Sequence, residues 1–191
     1  MKLRELNDRR EITRLYRERM VRDFPDNERK PLGMLLRGLR RREYVLYGLC
    51  EGEDLLGYAI FYVLRDGQGE SYLFDYLAID EARRDAGLGT AFLRLLAETL
   101  RGAVCVLGEV EDPAAAPDEA ARAQRLRRLD FYRRNGCRET GLRCRLFGVD
   151  YLVLELPAPD AHDQETLRER YAAIYQQMLP KRFLRRHFLL H

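Results

Sequence analysis

Apolar residues along this chain change spacing several times, and each change marks a new element. Lys2–Leu6 has the length of an edge strand. Past the capping side chains of Asn7 and Asp8, Ile12, Leu15, Tyr16 and Met20 fall on one helical face. Phe24-Pro25-Asp26-Asn27 breaks that helix; a second follows, with Pro31 near its start and Leu35, Leu36 and Leu39 as anchors. Tyr44–Cys50 and Leu55–Leu64 are nearly continuous apolar runs, the pattern of buried strands, joined by the turn Glu51-Gly52-Glu53-Asp54. Asp66-Gly67-Gln68-Gly69 turns the chain into a third run, Tyr72–Ile79.

Helical spacing returns at Leu88, Phe92, Leu95, Leu96 and Leu100. Val104–Val110 then reads as a buried strand, and Ala120–Arg134 as an Arg-rich helix closed by Asn135-Gly136. Cys137–Phe147, interrupted at Gly141, and Tyr151–Leu156 read as two final strands. The order β-α-α-β-β-β-α-β-α-β-β predicts an α/β fold, an α+β arrangement around a mixed sheet. Pro157-Ala158-Pro159-Asp160 marks a boundary between residues 1–157 and a C-terminal piece, 158–191. In that piece Leu167, Tyr171, Ile174, Tyr175 and Met178 form an amphipathic stripe, expected to pack on the domain or on a second subunit of a homodimer. The basic, apolar tail Lys181–His187 is expected to lie on its own domain.

Composition narrows the function classes. At 191 residues, 46% hydrophobic and 34% charged, the chain is globular and long enough to bury a core. A net charge of +3 could suggest nucleic acid. Yet only Lys2, Lys30 and Lys181 among the 34 basic residues are lysine, and the arginines are interleaved with 31 acidic residues. That pattern points away from a nucleic-acid surface. No apolar run is long enough to span a bilayer and the N-terminus lacks a signal-peptide core, so a cytoplasmic location without a membrane partner is expected. Cys50, Cys105, Cys137 and Cys144 form no C-x-x-C pair, and His162, His187 and His191 all lie near the C-terminus, so no metal is expected.

The chemistry gathers around the charged turn Asp80–Gly89 between the third run and its helix. Glycines there let the backbone approach a phosphate, and the first amides of the following helix point outward without partners. Such a turn serves equally as a plain strand-to-helix connection or as an anion cradle. The dinucleotide fingerprint and the P-loop are both excluded, because neither G-x-G-x-x-G nor Gly-Lys-Ser/Thr occurs here.

Arg84-x-x-Gly87-x-Gly89 after Leu77-Ala78-Ile79 resembles the acetyl-CoA signature of the GCN5-related N-acetyltransferase (GNAT) family. Glu81 stands where that family usually has Pro, and Asp85 where it tends to have Gly. Phe131-Tyr132-Arg133-Arg134-Asn135-Gly136-Cys137 looks like a second family segment, with Cys137 in place of the usual Phe. The resemblance spans roughly residues 2 to 156 and implies the GNAT fold with an appended C-terminal helix. It also implies acetyl-CoA as cosubstrate and a small-molecule or peptide amine as acceptor.

The resemblance implies roles residue by residue. The backbone of Leu77, Ala78 and Ile79 would pair with the pantetheine arm. The pyrophosphate would rest on the segment Arg84, Asp85, Ala86, Gly87, Leu88, Gly89 and Thr90, with Arg125 and Arg128 in reach of a phosphate. Tyr132 holds the general-acid position. Glu109 and Glu111 flank Val110 at a strand end, where alternation places both on one face. A carboxylate can accept a proton from an ammonium, and the Glu-Val pair resembles the segment that carries the base in ribosomal-protein N-terminal acetyltransferases, which makes Glu109 the first candidate base and Glu111 the second. Asp75 is the candidate anchor for the substrate ammonium. A coenzyme A-binding module without catalysis is the alternative reading.

Overall fold

The computed structural model describes residues 1–26, 28–83, 87–157 and 161–191. Eight strands follow in chain order: β1 (Lys2–Glu5), β2 (Tyr44–Glu51), β3 (Asp54–Asp66), β4 (Gly69–Ile79), β5 (Cys105–Glu111), β6 (Arg138–Leu146), β7 (Val149–Glu155) and β8 (Phe188–Leu190). Their hydrogen-bonded order is β1-β2-β3-β4-β5-β7-β6-β8, an α/β fold on a mixed sheet in which β4 and β5 run parallel. The helices are α1 (Arg9–Leu15), α2 (Val21–Asp23), α3 (Leu32–Arg40), α4 (Leu88–Thr99), α5 (Glu119–Arg134), α6 (Gln164–Met178) and α7 (Lys181–His187). A π-helical turn, Tyr16–Met20, joins α1 to α2. The packing forms two compact units, through both of which β3, β4 and α4 pass.

The first unit holds residues 1–63 and 75–95. β3 carries its core: Leu56 and every residue from Tyr58 to Val63 are buried, which is why this strand reads as one unbroken apolar run. Glu51↔Asp54 closes the β2–β3 hairpin over Gly52, whose φ of +58° is the left-handed conformation such a turn requires. Asp8 caps α1 by accepting from the Glu11 amide at 2.8 Å.

The second unit holds residues 64–74 and 96–191. β6 alternates, with Thr140, Leu142 and Cys144 buried between exposed neighbours. At Gly141 (φ +79°) its register against β7 shifts, the interruption expected from the sequence. The Val110, Leu129, Leu152 and Leu154 side chains form a cluster in which α5 packs on β5 and β7. α6 packs on β5 and β6 and buries Leu167, Tyr171, Ile174 and Tyr175. Arg170 pins it further, donating to Ser71 Oγ at 2.8 Å and Asp66 Oδ2 at 2.7 Å. The tail lies on its own unit: α7 turns the chain back so that β8 pairs with β6 through Cys144↔Leu190 to Leu146↔Phe188. The boundary residues 158–160 lie outside the described residues.

Candidate active site

Within the first unit, one group of candidate residues lies at the C-terminal end of β4. Registered pairing of β4 with β5 ends at Phe74↔Gly108, while β4 continues to Ile79. On its other edge β4 meets β3 so closely that a Cβ on Gly57 would lie 2.8 Å from the Ala78 carbonyl oxygen. Asp80 then fixes the exit from the strand: its amide donates to Leu56 O at 2.8 Å, its carboxylate accepts from Ala82 N, and Arg19 pairs with it. Gly87 (φ +72°) precedes α4, and Ala91 N makes an intrahelical bond back to Gly87 O. By helix geometry the amides of Leu88, Gly89 and Thr90 have no partner inside α4. Among the described residues, a Cβ at Gly87 would meet nothing within 4 Å. Arg84, Asp85 and Ala86 lie outside the described residues.

Asp75, the expected anchor for an ammonium, already holds one. Lys30 Nζ donates to both carboxylate oxygens, at 2.7 and 2.6 Å, and sits 5.8 Å from the Tyr44 ring centre and 5.4 Å from that of Tyr76. Burial, then the Asp75 charge, pushes both phenols well above their ordinary pKa, so they stay neutral. The backbone of Lys30 is fixed as well: its amide donates to Tyr76 Oη at 2.9 Å and its carbonyl accepts from Tyr16 Oη at 2.9 Å.

Within the second unit, Glu109 sits opposite Val153 on β5 and is clasped by α6. Tyr171 and Tyr175, one helical turn apart, both donate to its Oε1 at 2.5 Å. A phenol carries a single proton, so the 2.8 Å contact between Tyr171 Oη and Cys144 Sγ places the thiol as donor. Burial, then Glu109, raises Tyr171 well above its ordinary pKa, and the same causes push the Cys144 thiol up to about 12. The relay therefore keeps its protons on Tyr171 and Cys144 while Glu109 accepts.

Glu111 has different surroundings. Its carboxylate pairs with Arg125 at 2.9 Å and Arg128 at 3.6 Å on α5, and Arg125 also donates to Asp112 O. The two carboxylates thus do not share one environment, as simple alternation suggested. Glu109 is held from α6 and Glu111 from α5, because a side chain at a strand end can swing toward nearby cations. The same pairing sets the largely covered Arg125 on a carboxylate, with the exposed Arg128 at its edge.

Tyr132 lies near the end of α5, which closes with a Schellman cap: Cys137 N donates to Tyr132 O at 3.1 Å and Gly136 N to Arg133 O at 3.0 Å. Its ring packs edge-on to Phe74 and Phe131 beside the Val110–Leu154 cluster. Burial pushes its hydroxyl up to about 12. Among the described residues no group able to hold a metal ion is found, and no helix is long and apolar enough to cross a membrane.

Sequence spacing did not single out Lys30, Tyr44 or Tyr76 for the Asp75 cage, and it read Tyr171 and Tyr175 as packing alone. The one available signal was that Lys30 is a lysine in a chain whose basic residues are nearly all arginine.

Residues 9–136 match the sequence profile of the Acetyltransferase (GNAT) family. No curated protein matches the chain. Among solved structures, a protein from Bacteroides thetaiotaomicron assigned to the GNAT family superposes with a TM-score of 0.69 at 20% identity, covering 91% of this chain and 97% of its own. The ribosomal-protein-S18-alanine N-acetyltransferase of Escherichia coli gives 0.55 at 20% identity, covering 84% and 96%. A spermidine N-acetyltransferase SpeG chimera from Vibrio cholerae and hSSAT gives 0.58 at 12% identity, covering 82% and 95%. At such identities the superpositions speak for the fold, and the profile, spanning more than half of the residues, speaks for descent. The chain belongs to the GNAT acetyltransferase family.

Proposed function

We propose that the protein is an N-acetyltransferase that moves the acetyl group of acetyl-CoA to a primary amine by direct attack within a ternary complex. The observation that carries this reading is the Glu109 cradle, a strand carboxylate held by two neutral phenols. The two phenols orient the carboxylate on its strand, and a carboxylate so placed is the group this reading uses to accept a proton.

The residues present fit the cosubstrate. The amides of Leu88, Gly89 and Thr90, with the positive end of the α4 dipole, suit a pyrophosphate. The backbone groups of Leu77, Ala78 and Ile79, past the last registered pair with β5, suit an arm that adds like a strand. Bound there, acetyl-CoA supplies an activated acyl group and a thiolate leaving group.

The protein's part is to bring the amine in neutral form and to return a proton. Glu109 accepts the amine's proton, directly or through water, and Tyr132 donates its hydroxyl proton to the departing sulfur. A phenol shifted up to about 12 is fully protonated at neutral pH and so available as an acid. Arg125 and Arg128 hold Glu111 in place and would have to leave it to reach a phosphate. The base is therefore assigned to Glu109 ahead of Glu111. The acceptor is a small-molecule or peptide amine, and the reaction needs no metal.

The test is an acceptor screen read by release of free coenzyme A, followed by Glu109→Gln and Tyr132→Phe on the amine it identifies. Each is expected to lower turnover by a factor of about 10²–10⁴, the usual contribution of an acid or base. Tyr132→Phe should leave acetyl-CoA affinity unchanged, and Glu111→Gln should stay near wild type. If all three keep full turnover, the acid–base account is wrong.

A further inference from the structure

We propose that Lys30 is a self-acetylation site: its ε-amine, seated on Asp75, is the first acceptor of the acyl group this protein transfers. The proposal rests on the acetyl-transfer reading above and adds to it a modification of the protein's own chain.

The geometry is that of a bound substrate. A primary ammonium on an unbranched alkyl stem meets a carboxylate through both oxygens and lies near two aromatic rings. Its backbone is pinned on both sides, by Tyr76 Oη at the amide and by Tyr16 Oη at the carbonyl. Tyr76 Oη also donates to Glu28 O at 2.8 Å, fixing the stretch just before it. Asp75 precedes Leu77 by two residues on β4, a rise of about 7 Å. The ammonium is thus seated beside the backbone proposed to bind the acyl donor.

The residue type bears on the argument. Were position 30 only an ion-pair partner, arginine would serve at least as well, since its planar fork matches a carboxylate in bidentate fashion. This chain uses arginine at every basic position other than 2, 30 and 181. An arginine cannot become a neutral nucleophile, whereas a lysine can.

The step balances as follows. Asp75 takes one proton from the ammonium and passes it to solvent. The neutral nitrogen forms the new N–C bond as the acyl C–S bond breaks. The nitrogen then gives up a second proton, and the thiolate takes one proton from solvent. Acetyl-lysine, coenzyme A thiol and one free proton result. The amide is neutral, so Asp75 loses its cation and can receive the ammonium of another acceptor.

The experiment incubates the full chain with acetyl-CoA and reads acetylation at each lysine by peptide mass spectrometry. Lys30 should be modified about 10²-fold or more faster than Lys2 and Lys181, the factor expected when acid and base groups assist. Its rate per molecule should not change on dilution, and Gly89→Glu should abolish it. A second readout needs no donor: n-butylammonium, followed by calorimetry, should bind Lys30→Ala, fail to bind wild type, and fail to bind Lys30→Ala/Asp75→Asn.

Equal labelling of the three lysines would mark ordinary chemical acetylation and overturn the proposal. So would a Lys30→Ala protein that ignores n-butylammonium. If acetyl-CoA raises the melting point and an external amine is acetylated while Lys30 stays unmodified, self-acetylation is wrong and acetyl transfer stands. If acetyl-CoA does not bind at all, both fall.

Discussion

Removing the Tyr171 hydroxyl tests whether the C-terminal helix controls the chemistry of Glu109. Tyr171→Phe keeps a fully buried ring and deletes one of the two donors to Oε1. A hydrogen bond to an ionised group contributes about 1.5–3 kcal/mol. The Cys144 thiol loses its acceptor in the same step, adding to the loss. In a chain of this length each kcal/mol moves the melting point by about 2–4 °C, so a mid-range loss of about 2 kcal/mol lowers it by roughly 4–8 °C. Melting curves at neutral pH, with turnover measured in parallel, check the loss and whether the helix controls the base. A variant within about 1 °C of wild type at neutral pH would refute the reasoning.

Two further outcomes are expected. Acetyl-CoA at a hundredfold excess over its dissociation constant should stabilise the protein by about 2.7 kcal/mol, roughly 5–10 °C, and Gly89→Glu should abolish the shift by setting bulk and negative charge against the pyrophosphate. Differential scanning fluorimetry reads both. Gly136→Ala should lose more stability than Gly148→Ala: both positions have positive φ (+81° and +87°), costing about 1–2 kcal/mol each for a side chain. Only at Gly136 would the new Cβ also lie 3.3 Å from Pro157 Cγ, so equal chemical-denaturation midpoints would contradict the close contact.

Much of the fold was legible because burial writes itself into spacing. β3 is covered on both faces and reads as a continuous apolar run; β6 is covered on one and alternates. Other features carry no local signal. The π-helical turn at Tyr16–Met20 leaves the apolar stripe around it unchanged. β8 is three residues long and follows a helix directly, so nothing but pairing with β6 makes it a strand. That β7 lies between β5 and β6 is decided by pairing alone. The candidate site divides in the same way. The glycine turn and the Phe131–Cys137 segment are local motifs. The Asp75 cage and the Glu109 cradle join residues 45, 62 and 66 positions apart. A stripe of tyrosines shows its rings to a periodicity argument and hides its hydroxyls.

The partners of the three carboxylates separate their roles. Glu111 faces two guanidiniums, groups that cannot be deprotonated in a protein, so its charge is permanently balanced. Glu109 accepts from two phenols, one of them in contact with a thiol, and these orient it. Asp75 faces an ammonium, the one partner of the three whose charge an acyl transfer can erase. A carboxylate with a lysine can pass from balanced to unbalanced in a single chemical step. Acetylating Lys30 would make that change at the seat proposed for the acceptor ammonium. The first turnover would then raise affinity for every later cationic acceptor. Progress curves for wild type should accordingly show a lag that prior acetylation removes, and Lys30→Ala should start without one. A wild-type curve linear from the first turnover, with Lys30 becoming acetylated during it, would break this link between modification and acceptor binding.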